Sequence, residues 1–256
     1  MKIDKELAIL YGIMLGDGCL SKHNNKKGKK FYFISISGNY KDDKPFYDKI
    51  VLPLINNLRK NEKTIKYKER EKYGKIEINF SDKFLFGELN KIGFPNGKKG
   101  SEIKIPTIFY KKKLLKYLTQ GFFATDGSLV LTKNPNKIYP RLEGHGISDK
   151  LIFQIKDYLV SRGMYGKFYE CKRNKHPFKN FQKQYRFQFN GQKNLNLFQE
   201  KIGFINPKHL EKLSNFLKYS KDYDLSIKGI PTQKQRVHRD KILMATPRIE
   251  LGTSCS

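Results

Sequence analysis

The chain has no tryptophan and only three cysteines, Cys19, Cys171 and Cys255. Odd in number and scattered, they build no disulfide framework and lack metal-site spacing. They read as reduced thiols, so an intracellular location is expected, in cytoplasm, nucleoid or organelle matrix. The five histidines form no H-E-x-x-H or similar pattern, which removes the usual reason to expect zinc. Neither a Walker loop nor a dinucleotide-binding glycine fingerprint occurs. No apolar run approaches the ~20 residues that span a bilayer. No secretory apolar segment opens the chain either, so no membrane association is expected.

Acidic residues are scarce as well. Asp and Glu total 24 against 52 Lys and Arg, a formal net charge of +28 over 256 residues. That excess goes beyond what solubility needs and points to a polyanion; nucleic acid is the expected partner. Charge alone does not separate a DNA-acting enzyme from a ribosomal or RNA-packaging protein.

Two stretches organise the rest of the chain. Leu10-Tyr11-Gly12-Ile13-Met14-Leu15-Gly16-Asp17-Gly18 is echoed by Thr119-Gln120-Gly121-Phe122-Phe123-Ala124-Thr125-Asp126-Gly127. Each is an apolar helical segment with small residues four apart, which share one helix face and allow close approach of a second backbone. If these helices pack together, Asp17 and Asp126 emerge side by side at their C-terminal ends as a cation site. Gly18 and Gly127 are expected to supply left-handed helix caps.

Taken singly, an Asp-Gly after an apolar run is most often a turn. A second element changes the weight: Lys91-Ile92-Gly93-Phe94-Pro95-Asn96-Gly97-Lys98 returns as Lys201-Ile202-Gly203-Phe204-Ile205-Asn206-Pro207-Lys208. The pattern K-I-G-F-x-N-x-K repeats from 91 to 201 and the aspartate from 17 to 126, offsets that differ by a single residue. Two independent motifs at one offset mark an internal duplication.

The paired stretches resemble the signature helices of LAGLIDADG homing endonucleases in their single-chain, two-motif form. The resemblance spans roughly residues 5–220, and LYGIMLGDG lies close to the family pattern. TQGFFATDG is looser at its start but keeps the glycine and the final Asp-Gly. The resemblance implies a monomeric, site-specific endonuclease, encoded in or near a mobile intron, that makes a metal-dependent double-strand cut in a long asymmetric DNA site. It assigns Asp17 and Asp126 as catalytic metal ligands and places Gly16 and Thr125 with them in the metal site. It implies two or three Mg²⁺ ions at the repeat interface, with Mn²⁺ or Ca²⁺ substituting for binding. An RNA-binding intron maturase and a non-catalytic DNA-binding protein are the alternatives on the same fold. With no Cys or Ser start and no His-Asn end, an intact intein is not expected.

The chemistry agrees with that assignment. Phosphodiester hydrolysis needs an activated water, charge stabilisation and leaving-group help, which oxygen-liganded divalent ions supply. Lys98 and Lys208, closing the repeated element, are nominated to stabilise charge at the phosphate or to position water. His145, at a strand end, reads as a structural histidine first.

Taken in order, residues 5–16 form the first helix, with strands near 19–23 and 30–37. A helix over 43–60 is predicted, capped by Asp42 or Asp43, burying Phe46, Ile50, Leu54 and Leu58, and kinked at Pro53. A hairpin of Thr64–Arg70 and Lys75–Phe80 alternates apolar with polar residues. A helix over 82–92 ends the first repeat, 1–94; residues 95–107 form a Pro-, Gly- and Lys-rich linker. The second repeat, 108–220, opens with one helix over 108–125. Strands near 128–133 and 139–147, a helix over 149–162, and a hairpin of 166–173 and 183–190 with a long basic loop follow. Helices near 192–202 and 207–219 close it. Residues 221–256 are a tail, expected to be flexible from about Gln233. The fold class is therefore α+β: two pseudo-symmetric αββαββα repeats with saddle-shaped antiparallel sheets, joined at the paired signature helices.

Alternate positions on the polar strand faces fit a DNA major groove, where long side chains reach base edges. Lys66, Lys68, Arg70, Asn79, Arg173, Arg186, Gln188 and Asn190 are the expected DNA contacts.

Overall fold

Helix α1 (Lys5–Asp17) is apolar on every side, and Leu7, Ala8, Leu10, Tyr11, Ile13, Met14 and Leu15 are all buried. A helix of that kind has to be enclosed by protein. In this computed structural model it packs along α6 (Leu115–Thr125) on one side and against the first sheet on the other. The structure describes residues 1–60, 63–134, 137–174 and 181–227, with side chains at 134, 137, 172–174, 181–182 and 220–227 excepted. The basic loop at 175–180 and the tail beyond Gln233 lie outside the described residues.

The small residues let the helix backbones touch. A Cβ on Gly12 would fall onto the Leu118 carbonyl oxygen and lie 2.7 Å from Phe122 N; one on Gly121 would strike the Ile9 carbonyl oxygen. Backbone cannot retreat as a flexible side chain can, so Gly12→Ala and Gly121→Ala should each cost about 3 kcal/mol, the upper end for overpacking. The melting temperature should fall by roughly 6–12 °C. Gly87 in α4 (Lys83–Ile92) has nothing within 4 Å of a Cβ. Gly87→Ala should instead stabilise by about 0.5–1 kcal/mol, through lower chain entropy when unfolded. Calorimetry on the three variants checks the contrast.

Each helix runs straight into a four-stranded antiparallel sheet. The first holds β1 (Gly18–Asn24), β2 (Lys30–Asn39), β3 (Lys68–Arg70) and β4 (Lys75–Ser81) in the order β1-β2-β4-β3. The second holds β5 (Gly127–Asn134), β6 (Lys137–Gly146), β7 (Lys167–Asn174) and β8 (Phe181–Asn190) in the matching order β5-β6-β8-β7. The α+β duplication read from the sequence is thus present in the topology. Gly18 is not a left-handed cap: its φ is −90°, in extended backbone, and Gly127 is likewise absent from the positive-φ positions. Both glycines are required by space, because a Cβ would strike Met14 at Gly18 and Phe123 at Gly127.

Between β2 and β3 the expected single helix is α2 (Tyr40–Phe46), a π-helical turn over Tyr47–Val51 and α3 (Leu52–Leu58). The wide turn ends just before Pro53, whose missing N–H breaks the α-pattern there. It rotates the buried stripe to Phe46, Tyr47, Val51, Leu54 and Ile55, so Ile50 and Leu58 are only half-buried. The cap is Asn39, accepting from the Lys41 and Asp42 N–H groups, while Asp43 reaches back to accept from Asn39 N–H at 2.9 Å. The expected strand from Thr64 shrinks to β3, because Ile65 N–H donates to the Asn56 side chain rather than to a strand.

The segment 95–107 is ordered: Gly97 bridges Leu20, and Ile103 and Ile105 are buried. The expected helix over 108–125 is two helices, α5 (Thr107–Lys111) and α6, separated by Lys113 at φ 57°. A non-glycine residue in that conformation gives no signal in the sequence. Helices α7 (Asp149–Ser161), α8 (Gln192–Lys201) and α9 (Pro207–Ile227) complete the described chain. The chain divides into compact units Met1–Leu213 and Ser214–Ser256, the boundary falling within α9. No described helix is long and apolar enough to cross a membrane.

His209, at the start of α9, is 2 % exposed, and its Nδ1 has no hydrogen-bond partner among the described residues. Burial first, then the charges of Lys208 and Lys212, pushes its pKa down to about 3. The unfolded chain therefore takes a proton near pH 6.5 that the folded chain refuses until about pH 3. The neutral form's contribution is intact above pH 6.5 and is lost as pH falls through that window. At pH 5 the loss is about 2 kcal/mol, from ~1.4 kcal/mol per pH unit. His209→Phe should abolish this part of the acid sensitivity in denaturant titrations at pH 5 and 7.5.

Candidate active site

Asp17 ends α1 and Asp126 follows the last residue of α6, so both carboxylates stand where the helix pair meets the sheets. Asp126 Cγ lies 3.3 Å from where a Cβ on Gly16 would be, which places it over the α1 terminus. The helix ends add their own partial negative charge. Crowding by protein, then Asp126, then Asp43 push the Asp17 carboxyl well above the usual carboxylate range, against the pull of Lys99 and Lys208. Asp126 is raised as well, by its surroundings, against Lys99, His145 and Lys208. Asp17 nevertheless keeps an exposed surface and Asp126 a partial one. The pair thus forms the floor of a crowded but solvent-reachable site, where like charges call for a proton or a cation.

Two lysines answer that charge. Lys99 Nζ donates to the carbonyl oxygens of Met14 at 3.2 Å, Leu15 at 2.9 Å and Gly16, capping α1 with a cation. Lys208 Nζ donates to Asp43 Oδ1 at 2.7 Å. Of the two lysines nominated from the sequence, Lys208 lies at the site and Lys98 is exposed, its place taken by the next residue. Local geometry accompanies the shift. Gly97, at φ +88°, pairs with Leu20, and two residues on, Lys99 reaches the end of α1 while Lys98 stays exposed. In the second repeat Pro207 starts α9 and Lys208 sits in its first turn. There Asn206 takes the capping role, its Nδ2 donating to the Ala124 carbonyl at 2.8 Å, whereas Asn96 is exposed. Exposed His145 stands near enough to Asp126 to act on its charge.

Asp43 was assigned only a capping role in the sequence. Buried at 8 % exposure, it is a third carboxylate at the centre, held by Lys208 and Asn39. Gly16 and Thr125 stand against each other beneath the aspartates. The Gly16 carbonyl is engaged by Lys99, and Thr125 Oγ1 donates to the Phe122 carbonyl at 3.0 Å.

The polar sheet faces flank this centre. In the first sheet Asn79 is exposed opposite Ser35, and Lys68 and Arg70 are exposed opposite Glu77 and Lys75. Lys66 is exposed but precedes β3. In the second sheet Arg186, Gln188 and Asn190 on β8 face His145, Glu143 and Arg141 on β6. Arg173 lies in β7 opposite Gln182, its side chain outside the described set. Arg141 and Glu143 are not among the contacts expected from the sequence, although Arg141-x-Glu143-x-His145 shows the period-two signal. Gln188 Nε2 donates to Glu143 at 3.1 Å, and Arg141 pairs with the same oxygen at 3.1 Å outside hydrogen-bond geometry. Arg186 Nε is buried without a hydrogen-bond partner among the described residues, its guanidinium 6.0 Å from the Tyr169 ring centre.

No family model matches the sequence. The replication factor C small subunit of Methanocaldococcus jannaschii is 25% identical over 245 residues, covering 96% of this chain. The chain spans only 12% of that protein's length. Among solved structures, the LAGLIDADG meganuclease I-AabMI bound to uncleaved DNA superposes with TM-score 0.58 at 16% identity, over 96% of this chain and 100% of that one. The chain has the LAGLIDADG fold. The LAGLIDADG homing endonuclease I-GzeII, in complex with its DNA target, gives TM-score 0.55 at 12% identity over 96% and 99% of the two chains. I-DmoI with nicked target DNA and Mn gives 0.54 at 15% identity, over 78% and 95%. Further I-DmoI complexes contain Mg or Ca.

Among the described residues no three His, Cys, Asp or Glu side chains converge as a complete ligand set. Two carboxylates near enough to act on each other's charge, both with raised pKa values, nonetheless fit a hard cation that draws its other ligands from water and phosphate.

Proposed function

We propose that this chain is a site-specific DNA endonuclease that hydrolyses one phosphodiester in each strand of a long, asymmetric duplex site. It acts inside the cell as a monomer with Mg²⁺, and is encoded in or near a mobile intron. The carrying observation is the pair Asp17 and Asp126, one per repeat, crowded together at the ends of touching helices between two basic sheet faces. Asp17 and Asp126 would hold the ion. When bound, Mg²⁺ supplies charge neutralisation at the scissile phosphate and a more acidic water. Lys99 and Lys208 stabilise charge developing on the phosphate oxygens, each oriented by its own acceptors, the α1 carbonyls and Asp43. The sheet faces bind the flanking duplex through Lys68, Arg70, Asn79, Arg186, Gln188 and Asn190. The relatives found in complex with DNA support this reading.

The test is selection from a plasmid library of randomised duplexes incubated with the protein and Mg²⁺, followed by sequencing of linearised products. One long non-palindromic sequence cut in both strands is the expected result. Its binding should weaken with salt by about 0.9 in log K per phosphate neutralised, a slope shared largely with random duplex. A library left intact, or a flat salt titration, overturns the proposal.

A further inference from the structure

Gly38 and Gly146 occupy equivalent places near the ends of β2 and β6; Gly38 faces Asp43 and Tyr47 from the helical segment that follows, and Gly146 faces Ile152. A Cβ on Gly38 would lie 2.9 Å from Asp43 Oδ2; one on Gly146 would lie 3.2 Å from Ile152 Cδ1. The duplicated halves therefore carry a carboxylate and a methyl group at the same station. The carboxylate is bound on both oxygens, by Lys208 Nζ at 2.7 Å and by Asn39 N–H at 2.9 Å. Lys208 belongs to the second repeat, so the ion pair crosses between repeats and leaves no counterpart at Ile152. Beside it the hydroxyl of Tyr47, 2 % exposed, lies 3.2 Å from the same point and has no hydrogen-bond partner among the described residues. Asp43 is among the charges acting on Asp17 and not among those acting on Asp126.

Lys208 acts on both aspartates, so the asymmetry lies in Asp43. We infer that Asp43 is a positioning residue that fixes and compensates Lys208 and thereby makes the two strand cuts unequal in rate. The inference rests on the nuclease reading. A lysine compensated by a carboxylate offers less charge to a phosphate than one released from it. Asp43→Asn keeps the size and the acceptor for Asn39 N–H but ends the compensation, so the slower strand should speed up.

The test uses full-length protein and a supercoiled plasmid carrying a sequence selected from the randomised library. Single-turnover nicking of each strand is followed separately in Mg²⁺. The ratio of fast to slow strand rates should fall about tenfold in Asp43→Asn, a fraction of the 10²–10³ expected from deleting a donor outright. In a Lys208→Met background the same change should alter the ratio by less than about twofold, the signature of a coupled pair. A merely structural Asp43 would lower the melting temperature and slow both strands alike in either background, and that result overturns the inference. Should Asp43→Asn fail to fold, Asp43→Glu keeps the charge but displaces it by one methylene and is read by the same ratio. If the wild-type protein cuts no library member, the nuclease reading fails and this inference with it. If it cuts and the ratio is unmoved, only the role of Asp43 is lost.

Discussion

Asp17→Asn and Asp126→Asn proteins should fold, bind duplex DNA and linearise none of it. Loss of either carboxylate removes an oxygen ligand from a centre with only two such side chains at the helix ends. Metal assistance contributes several kcal/mol, so double-strand cleavage should fall by at least about 10³-fold. Stability should move the other way. Both carboxyls are raised in the fold, so the folded chain binds protons more readily than the unfolded one in this region. The stabilising contribution of their protonated forms is complete at low pH and lost as pH rises through the folded values. Near neutral pH the charged pair is a liability, and the amide variants should melt at the same or higher temperature than wild type. Mg²⁺ should raise the wild-type melting temperature by mass action and leave both variants unmoved. Full cleavage by both variants, or equal Mg²⁺ stabilisation of all three proteins, contradicts the assignment.

The second large effect is expected at Lys99. Its ammonium is the strongest opposing charge on both aspartates and is fastened to the end of α1. Lys99→Met should slow single-turnover cleavage about 10²–10³-fold, as for removal of a preorganised donor. The lost helix cap should cost only about 0.3–1 kcal/mol. Lys98→Met, one residue away and exposed, should behave as wild type, as should changes at Lys111 and Lys112. If Lys98→Met is the impaired variant, the assignment of Lys99 to the site is wrong.

The contrast between Lys98 and Lys99 shows where sequence reasoning stopped. The duplication, the helix pair and the strands were legible because they depend on periodicity: small residues four apart, and apolar residues at alternate positions such as Ile76 and Ile78. The aspartates were legible because the duplication supplied a second copy of a weak signal. Lys99 is hidden because K-I-G-F-x-N-x-K aligns Lys98 with Lys208, whereas one element continues past the Gly97 bridge without a helix and the other turns into a helix at Pro207. Asp43 was hidden because its partner lies 165 residues away on the other repeat. Pro53 signals an irregularity in its helix but not that it takes the form of a π turn, and the break at Lys113 obeys no local composition rule. Gly18 and Gly127 were read for backbone freedom when the demand was space.

Diffraction from the protein bound to its selected DNA in Mn²⁺, at the manganese absorption edge, tests the central claim most directly. The account predicts anomalous peaks at coordination distance, about 2.1 Å, from the Asp17 and Asp126 carboxylate oxygens, with phosphate oxygens of both strands completing the shell. Manganese bound elsewhere, or DNA seated away from the helix ends, would contradict it.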